Sequence, residues 1–170
     1  VTGAAIYYFK KPKGRYWLDE NLLKLPVIGT FLQKVIIARF SRLFYTMNRT
    51  GVNITETLEI IQKSIGNMFY AKVIEKLYDS ILKGESLAEG MRKTGQFPEL
   101  LIDMVSIGEK SGSLDDMLLS VSNFYEEEVS EMVENMSSLI EPIITVVLGG
   151  MVLLLALALF LPMWEMMNIM

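Results

Sequence analysis

The sequence predicts an all-α protein, a six-helix antiparallel bundle whose long last helix leads into one transmembrane helix. Three observations carry this: apolar residues recur three and four positions apart through the middle of the chain, no alternating Val/Ile/Thr run is bounded by hairpin turns, and Ile143–Leu161 holds no charged residue. At 170 residues there is room for one core and a membrane span, not for two full domains as well.

Residues 1–9 read as the end of a preceding transmembrane helix, apolar and closing on Tyr7, Tyr8 and Phe9. Lys10, Lys11, Lys13 and Arg15 follow at once, the pattern of an interfacial aromatic belt and then a cytoplasmic flank. Residues 10–30 form a basic linker that ends in the turn Leu25-Pro26-Val27-Ile28-Gly29. The bundle domain occupies 31–138. Its first helix carries Ile36, Phe40, Leu43, Phe44 and Met47 on one face and stops at Gly51. Asn53, with Glu56 three residues on, forms a capping box for a second helix that turns Ile54, Leu58, Ile61 and Ile65 inward. Asn67 and Gly84 bracket a third, built on Val73, Leu77 and Ile81. Ser86 with Glu89 caps a brief fourth, closed by Gly95. Pro98 starts a fifth, whose Leu101, Met104 and Val105 run to Gly108, and Ser113 with Asp116 caps the sixth.

The sixth helix is long. Leu118, Val121, Tyr125, Val129, Met132, Met136 and Leu139 make one continuous seam, and the run from Leu114 to Met136 would span about 35 Å, enough to leave the bundle as a stalk. Glu127, Glu131 and Glu134 line its wet side. A transmembrane helix over 139–162 follows. Pro142 sits at a first turn or a bend, with Glu141 before it biased away from helix, and Pro162 and Trp164 end the span. The basic cluster Lys10 to Arg15 orients the chain with the bundle in the cytoplasm and the tail 163–170 outside the inner membrane.

Composition removes whole classes of chemistry. Cysteine and histidine are both absent, which excludes a disulfide framework, thiolate metal sites, a Cys nucleophile and an imidazole base. No catalytic group, cofactor or metal is expected. Residues 1–113 hold all 16 Lys and Arg against 11 acids, a balance of +5, whereas 114–170 hold none against nine acids, a balance of −9. No nucleic-acid motif accompanies the basic part, which suits anionic lipid heads or an acidic protein partner. Gly-Glu-Lys-Ser-Gly at 108–112 lacks the order of a phosphate loop and the strand before it.

Leu25-Pro26-Val27-Ile28-Gly29, then Ala38-Arg39-Phe40 leading to Thr50-Gly51-Val52-Asn53-Ile54, resemble the inner-membrane platform proteins of type II secretion and type IV pilus systems, the GspF/PilC type. The resemblance runs on through Leu82-Lys83-Gly84-Glu85-Ser86-Leu87, Phe97-Pro98-Glu99-Leu100 and Gly108-Glu109-Lys110-Ser111-Gly112-Ser113-Leu114 to Leu139-Ile140-Glu141-Pro142. It implies two related six-helix cytoplasmic domains with membrane helices between and after them, this chain being the second domain and the last span. It also implies no enzymatic activity, and a cytoplasmic hexameric ATPase, pilin or pseudopilin subunits and other inner-membrane assembly proteins as partners. A homo-oligomer is expected from the resemblance and from the exposed stalk seam. A channel or transporter subunit is the competing class, and the run Ile143–Leu161, with Thr145 as its only polar side chain, speaks against it.

Several motif residues have a readable physical role. Gly51, Gly84 and Gly112 fit helix ends that need positive φ or close packing. Glu109 lies between the fifth and sixth helices, placed to cap the next helix, to meet an arginine such as Arg39 or Arg42, or to touch a partner. Arg39, Arg42 and Arg49 lie opposite the first helix's apolar stripe, either pairing with acids of the bundle or docking the ATPase. Glu141, with Gly149 and Gly150 about two turns deeper, forms a docking edge for another membrane helix or merely wets and loosens the helix start.

Overall fold

A computed structural model describes residues 16, 19, 21–23, 25–26, 28–138 and 140–167, with side chains in the last helix described at 142 and 144–158. The expected membrane-helix end at 1–9, the cluster Lys10 to Arg15, Leu139 and the side chains of Glu141, Pro162 and Trp164 lie outside these. Among the described residues the chain forms helices and no strand: α1 Ile28–Arg49, α2 Ile54–Ser64, α3 Met68–Leu82, α4 Leu87–Thr94, α5 Glu99–Ser111, α6 Leu114–Ser138 and α7 Ile140–Met167. They fall into two compact units, 1–129 and 130–170.

Local chemistry sets the helix boundaries in the first unit. Asn53 accepts from the Glu56 amide at 2.9 Å, Asn67 from Tyr70 at 3.0 Å and Ser86 from Glu89 at 3.2 Å, so one orphan donor at the start of α2, α3 and α4 is satisfied by the residue before the helix. Gly51, Gly84 and Gly112 hold φ of 81°, 84° and 72°. At Gly112 the left-handed residue ends α5 while the Ser113 amide reaches back to the Gly108 carbonyl at 3.0 Å, a turn that a side chain at 112 would strain. The α5 helix therefore ends at Ser111 rather than Gly108. Gly108 lies inside the helix because a Cβ there would come within 2.8 Å of the Leu114 Cα as the chain doubles back.

Each of α2 to α5 packs against its neighbour in sequence, and α1 closes on α2. The core they share includes Ile37, Phe40, Phe44, Leu58, Ile61, Ile74, Leu77, Met91, Leu101 and Val105, with Leu118, Val121 and Tyr125 added by α6. Phe97 sits at its centre, 5.2 Å from the Phe40 ring and 6.4 Å from that of Tyr70, which gives Phe97-Pro98-Glu99-Leu100 a packing role ahead of α5. Burial pushes the Tyr70 hydroxyl up to about 12, and it donates to the Gln96 carbonyl at 3.0 Å.

The linker is less featureless than its composition suggests. Tyr16, Asp19, Asn21 and Leu22 are helical. Asp19 accepts from the Met68 amide at 2.8 Å, so the first turn of α3 has a second cap from far away in sequence. Tyr16 lies 6.1 Å from Phe69, with the Lys72 ammonium 4.1 Å from its ring centre. Gly29 has no room for a side chain, since a Cβ would fall 2.1 Å from the Leu23 carbonyl oxygen.

In the second unit α6 runs to Ser138, and every described side chain from 130 to 138 is exposed apart from half-buried Met132. The seam that the spacing predicts therefore packs only as far as Tyr125. The backbone of Ile140–Met167 is helical at Glu141, against the bias that Pro142 gives the residue before it. The helix also runs through Pro162 to Met167. Among the described residues no helix is long and apolar enough to cross a membrane. The continuous stretch with described side chains, 144–158, is shorter than the roughly 20 residues a span takes.

Candidate functional site

The surface with most chemistry is the polar face of α1 and what meets it. Lys34 pairs with Glu128, Arg42 with Glu126 and Asn123, and Asn48 with Asp115. As α1 advances, its partners recede along α6, so the two helices run antiparallel and these contacts form a ladder. The Arg42 guanidinium forks onto both Glu126 oxygens at 2.9 and 2.7 Å and onto Asn123 Oδ1 at 2.8 Å. That hydrogen bond holds the Glu126 carboxyl below its ordinary value and raises the Arg42 guanidinium further. Beside the ladder lies a groove of about 350 Å³ with Val35, Ala38, Leu43 and Val129 among its walls and Arg39 and Arg42 at its rim.

The three arginines are thus not equivalent. Arg42 closes the bundle. Arg39 donates to the Ile65 carbonyl at 3.3 Å, and Arg49 hydrogen-bonds the Tyr45 hydroxyl while stacking over that ring at 5.8 Å. Among the described residues neither Arg39 nor Arg49 has a carboxylate within ion-pair distance.

Glu109 meets neither Arg39 nor Arg42, and it does not cap the helix that follows it. Its carboxylate turns back to α4, accepting from the Leu87 amide at 2.6 Å and the Ala88 amide at 3.2 Å. Those are donors of the first turn, and a carboxylate there also faces the positive end of the helix dipole. Gly84-Glu85-Ser86 and Gly108-Glu109-Lys110-Ser111-Gly112 are therefore two halves of one joint. Ser86 satisfies the Glu89 amide and Glu109 the two before it. Beside it, Lys93 pairs with Glu85 at 2.6 Å and with Glu89 at 3.5 Å. The Lys93 hydrogen bond depresses the Glu85 carboxyl.

Gly149 and Gly150 lie on α7 with nothing within 4 Å of a built Cβ, and Pro142 is exposed. Sequence reasoning missed Lys34, Asn48 and Asp19, whose partners lie 94, 67 and 49 residues away. The expectation that arginines of the first helix could pair with acids of the bundle pointed toward the ladder at Arg42.

Residues 40–162 match the family described as Type II secretion system (T2SS), protein F. The chain is 37% identical to the type IV pilus assembly protein PilC of Pseudomonas aeruginosa, over 99% of this chain and 46% of that protein. It is 33% identical to the PilC of Myxococcus xanthus, over 97% and 40%. It is 31% identical to the type II secretion system protein F of Pseudomonas aeruginosa, over 92% and 38%. The chain thus spans less than half the length of these relatives.

Proposed function

Because the chain belongs to the type II secretion system protein F family, we propose that it is the second cytoplasmic bundle and last membrane helix of a non-enzymatic inner-membrane platform, which couples a cytoplasmic hexameric ATPase to polymerisation of pilin or pseudopilin subunits. The observation that carries this reading is the family match itself, which runs from within α1 to within α7 and whose relatives are named for pilus assembly and for secretion. Residues 139–162 are the proposed span, on the strength of the charge-free run Ile143–Leu161. Gly149 and Gly150 supply an edge for another membrane helix, and the tail 163–170 faces the periplasm.

Arg49 and Arg39 are the cations proposed to face the ATPase, since among the described residues neither closes an ion pair of the bundle. Deletion of the full-length gene should abolish pili or secretion, and the parent gene should restore them. Arg49→Glu in that full-length protein should weaken co-purification of the ATPase and leave the Tm unchanged. Normal ATPase binding by both Arg49→Glu and Arg39→Glu would remove this surface from the coupling role.

A further inference from the structure

The hold of α6 on the bundle changes character along its length. Leu118, Val121 and Tyr125 are at most 7% exposed, and no residue of α6 after Tyr125 is buried. Past Tyr125 the hold on α1 comes from two ion pairs, through Glu126 and Glu128. Lys34 and Glu128 side chains are 24% and 33% exposed, Arg42 and Glu126 38% and 48%, so water and salt reach both pairs. The apolar groove of about 350 Å³ lies beside them, which means that Val35, Ala38, Leu43 and Val129 do not fill the space there. Elsewhere the helices interlock tightly: Leu58, Ile61, Ile74, Leu77 and Leu101 are wholly buried. The N-terminal end of α6 is pinned as well, since the backbone at Leu114 lies against Gly108.

A helix fixed by dry packing as far as Tyr125, and beyond it by solvated charge pairs, has low local stability where the pairs are. We propose that the α1–α6 ladder is a salt-sensitive latch, whose opening swings the Glu126–Val129 segment of α6 off α1 while α2 to α5 stay folded. Opening bares Lys34 and Arg42, the two cations for which an acidic partner surface would compete with Glu128 and Glu126. That last consequence rests on the ATPase docking proposed above; the latch itself does not.

The test uses full-length protein in lipid nanodiscs, in a cysteine-free background, with spin labels at Thr46→Cys on α1 and Glu127→Cys on α6, two exposed positions outside the ladder. A reference pair, Glu56→Cys and Asp79→Cys, reports on α2 and α3. Raising salt from about 0.05 to about 0.5 M, which shortens the Debye length several-fold, should bring up a second Thr46–Glu127 population longer by several ångströms. The reference distance should not move. Adding Lys34→Met and Arg42→Met should give the longer population at both salt concentrations. A single unshifted population in the parent at both concentrations overturns the latch. So does lengthening of the reference pair in step, which would mean general loosening, or a salt response that survives the double methionine variant.

Discussion

The Glu109 carboxylate and the Leu87 amide, 22 residues apart in sequence, meet at 2.6 Å and tie the end of α5 to the start of α4. Without it, two first-turn amides of an eight-residue helix lose their acceptor. Glu109→Ala should lower unfolding stability by about 2 kcal/mol, as expected for losing a charged double cap. Glu109→Gln, which keeps one acceptor oxygen, should cost about half of that. Urea denaturation of both variants checks the order, and equal losses would assign the effect to packing.

Arg42 and Glu126 predict a weak acid response. The guanidinium holds the Glu126 carboxyl below its ordinary value of 4.5. A depressed folded-state value means that the stabilisation is complete above that ordinary value and is lost as pH falls through the folded one. With half of the Glu126 side chain in water, the effect should be only about 0.5 kcal/mol. Glu126→Gln should lower stability by about 0.5 kcal/mol in the neutral region and flatten the fall below pH 4.5, where the variant and the parent converge.

Thr57 is fully buried, and its hydroxyl has no hydrogen-bond partner among the described residues. Replacing it with valine removes a desolvated polar group at nearly constant volume. Thr57→Val should therefore stabilise the bundle by about 1 kcal/mol in a denaturant titration. A loss of stability would show that the hydroxyl has an acceptor after all.

Gly108 and Gly112 should fail for different reasons. Gly108→Ala drives a Cβ into the Leu114 backbone at 2.8 Å and should cost about 2–3 kcal/mol, because a backbone cannot rotate away. At Gly112 there is space but φ is 72°, so Gly112→Ala should cost about 1 kcal/mol from backbone strain. Gly112→Asn, which tolerates the left-handed region, should recover part of that loss. No asparagine should rescue position 108.

Among the described residues nothing lies within 4 Å of a Cβ at Gly149 or Gly150. Those residues should therefore accept Gly149→Leu with Gly150→Leu. If the pair forms a docking edge, the double leucine variant should insert, still bind the ATPase and assemble no filament. Normal filaments would leave the glycines without that role.

What was legible in the sequence was local. Asn53, Asn67 and Ser86 announce their helices because a cap bonds only three residues ahead. The order of six helices and the inward faces of α1 to α5 follow from periodicity in the same way. Gly108 was misleading because a glycine inside a helix and one beyond its end look alike until the close approach of Leu114 is known. Glu109, Asp19 and Lys34 were hidden for a related reason: their partners are set by the tertiary fold, and charge type alone offers many candidates. Distal α6 shows the converse failure, where a sound apolar repeat leaves Met136 exposed and Met132 only half-buried.

The nearest-neighbour packing of α1 to α5 has a consequence for how the molecule is made. Contacts between elements adjacent in sequence have short loops to close, so this part of the bundle can form early and quickly, during synthesis, as each hairpin leaves the ribosome. Until α6 emerges, the core lacks Leu118, Val121 and Tyr125. Closure of the bundle by α6 is thus a late step. It falls just before the most apolar segment of the chain is translated, which puts sealing of the core and delivery of that segment into a single narrow window of synthesis.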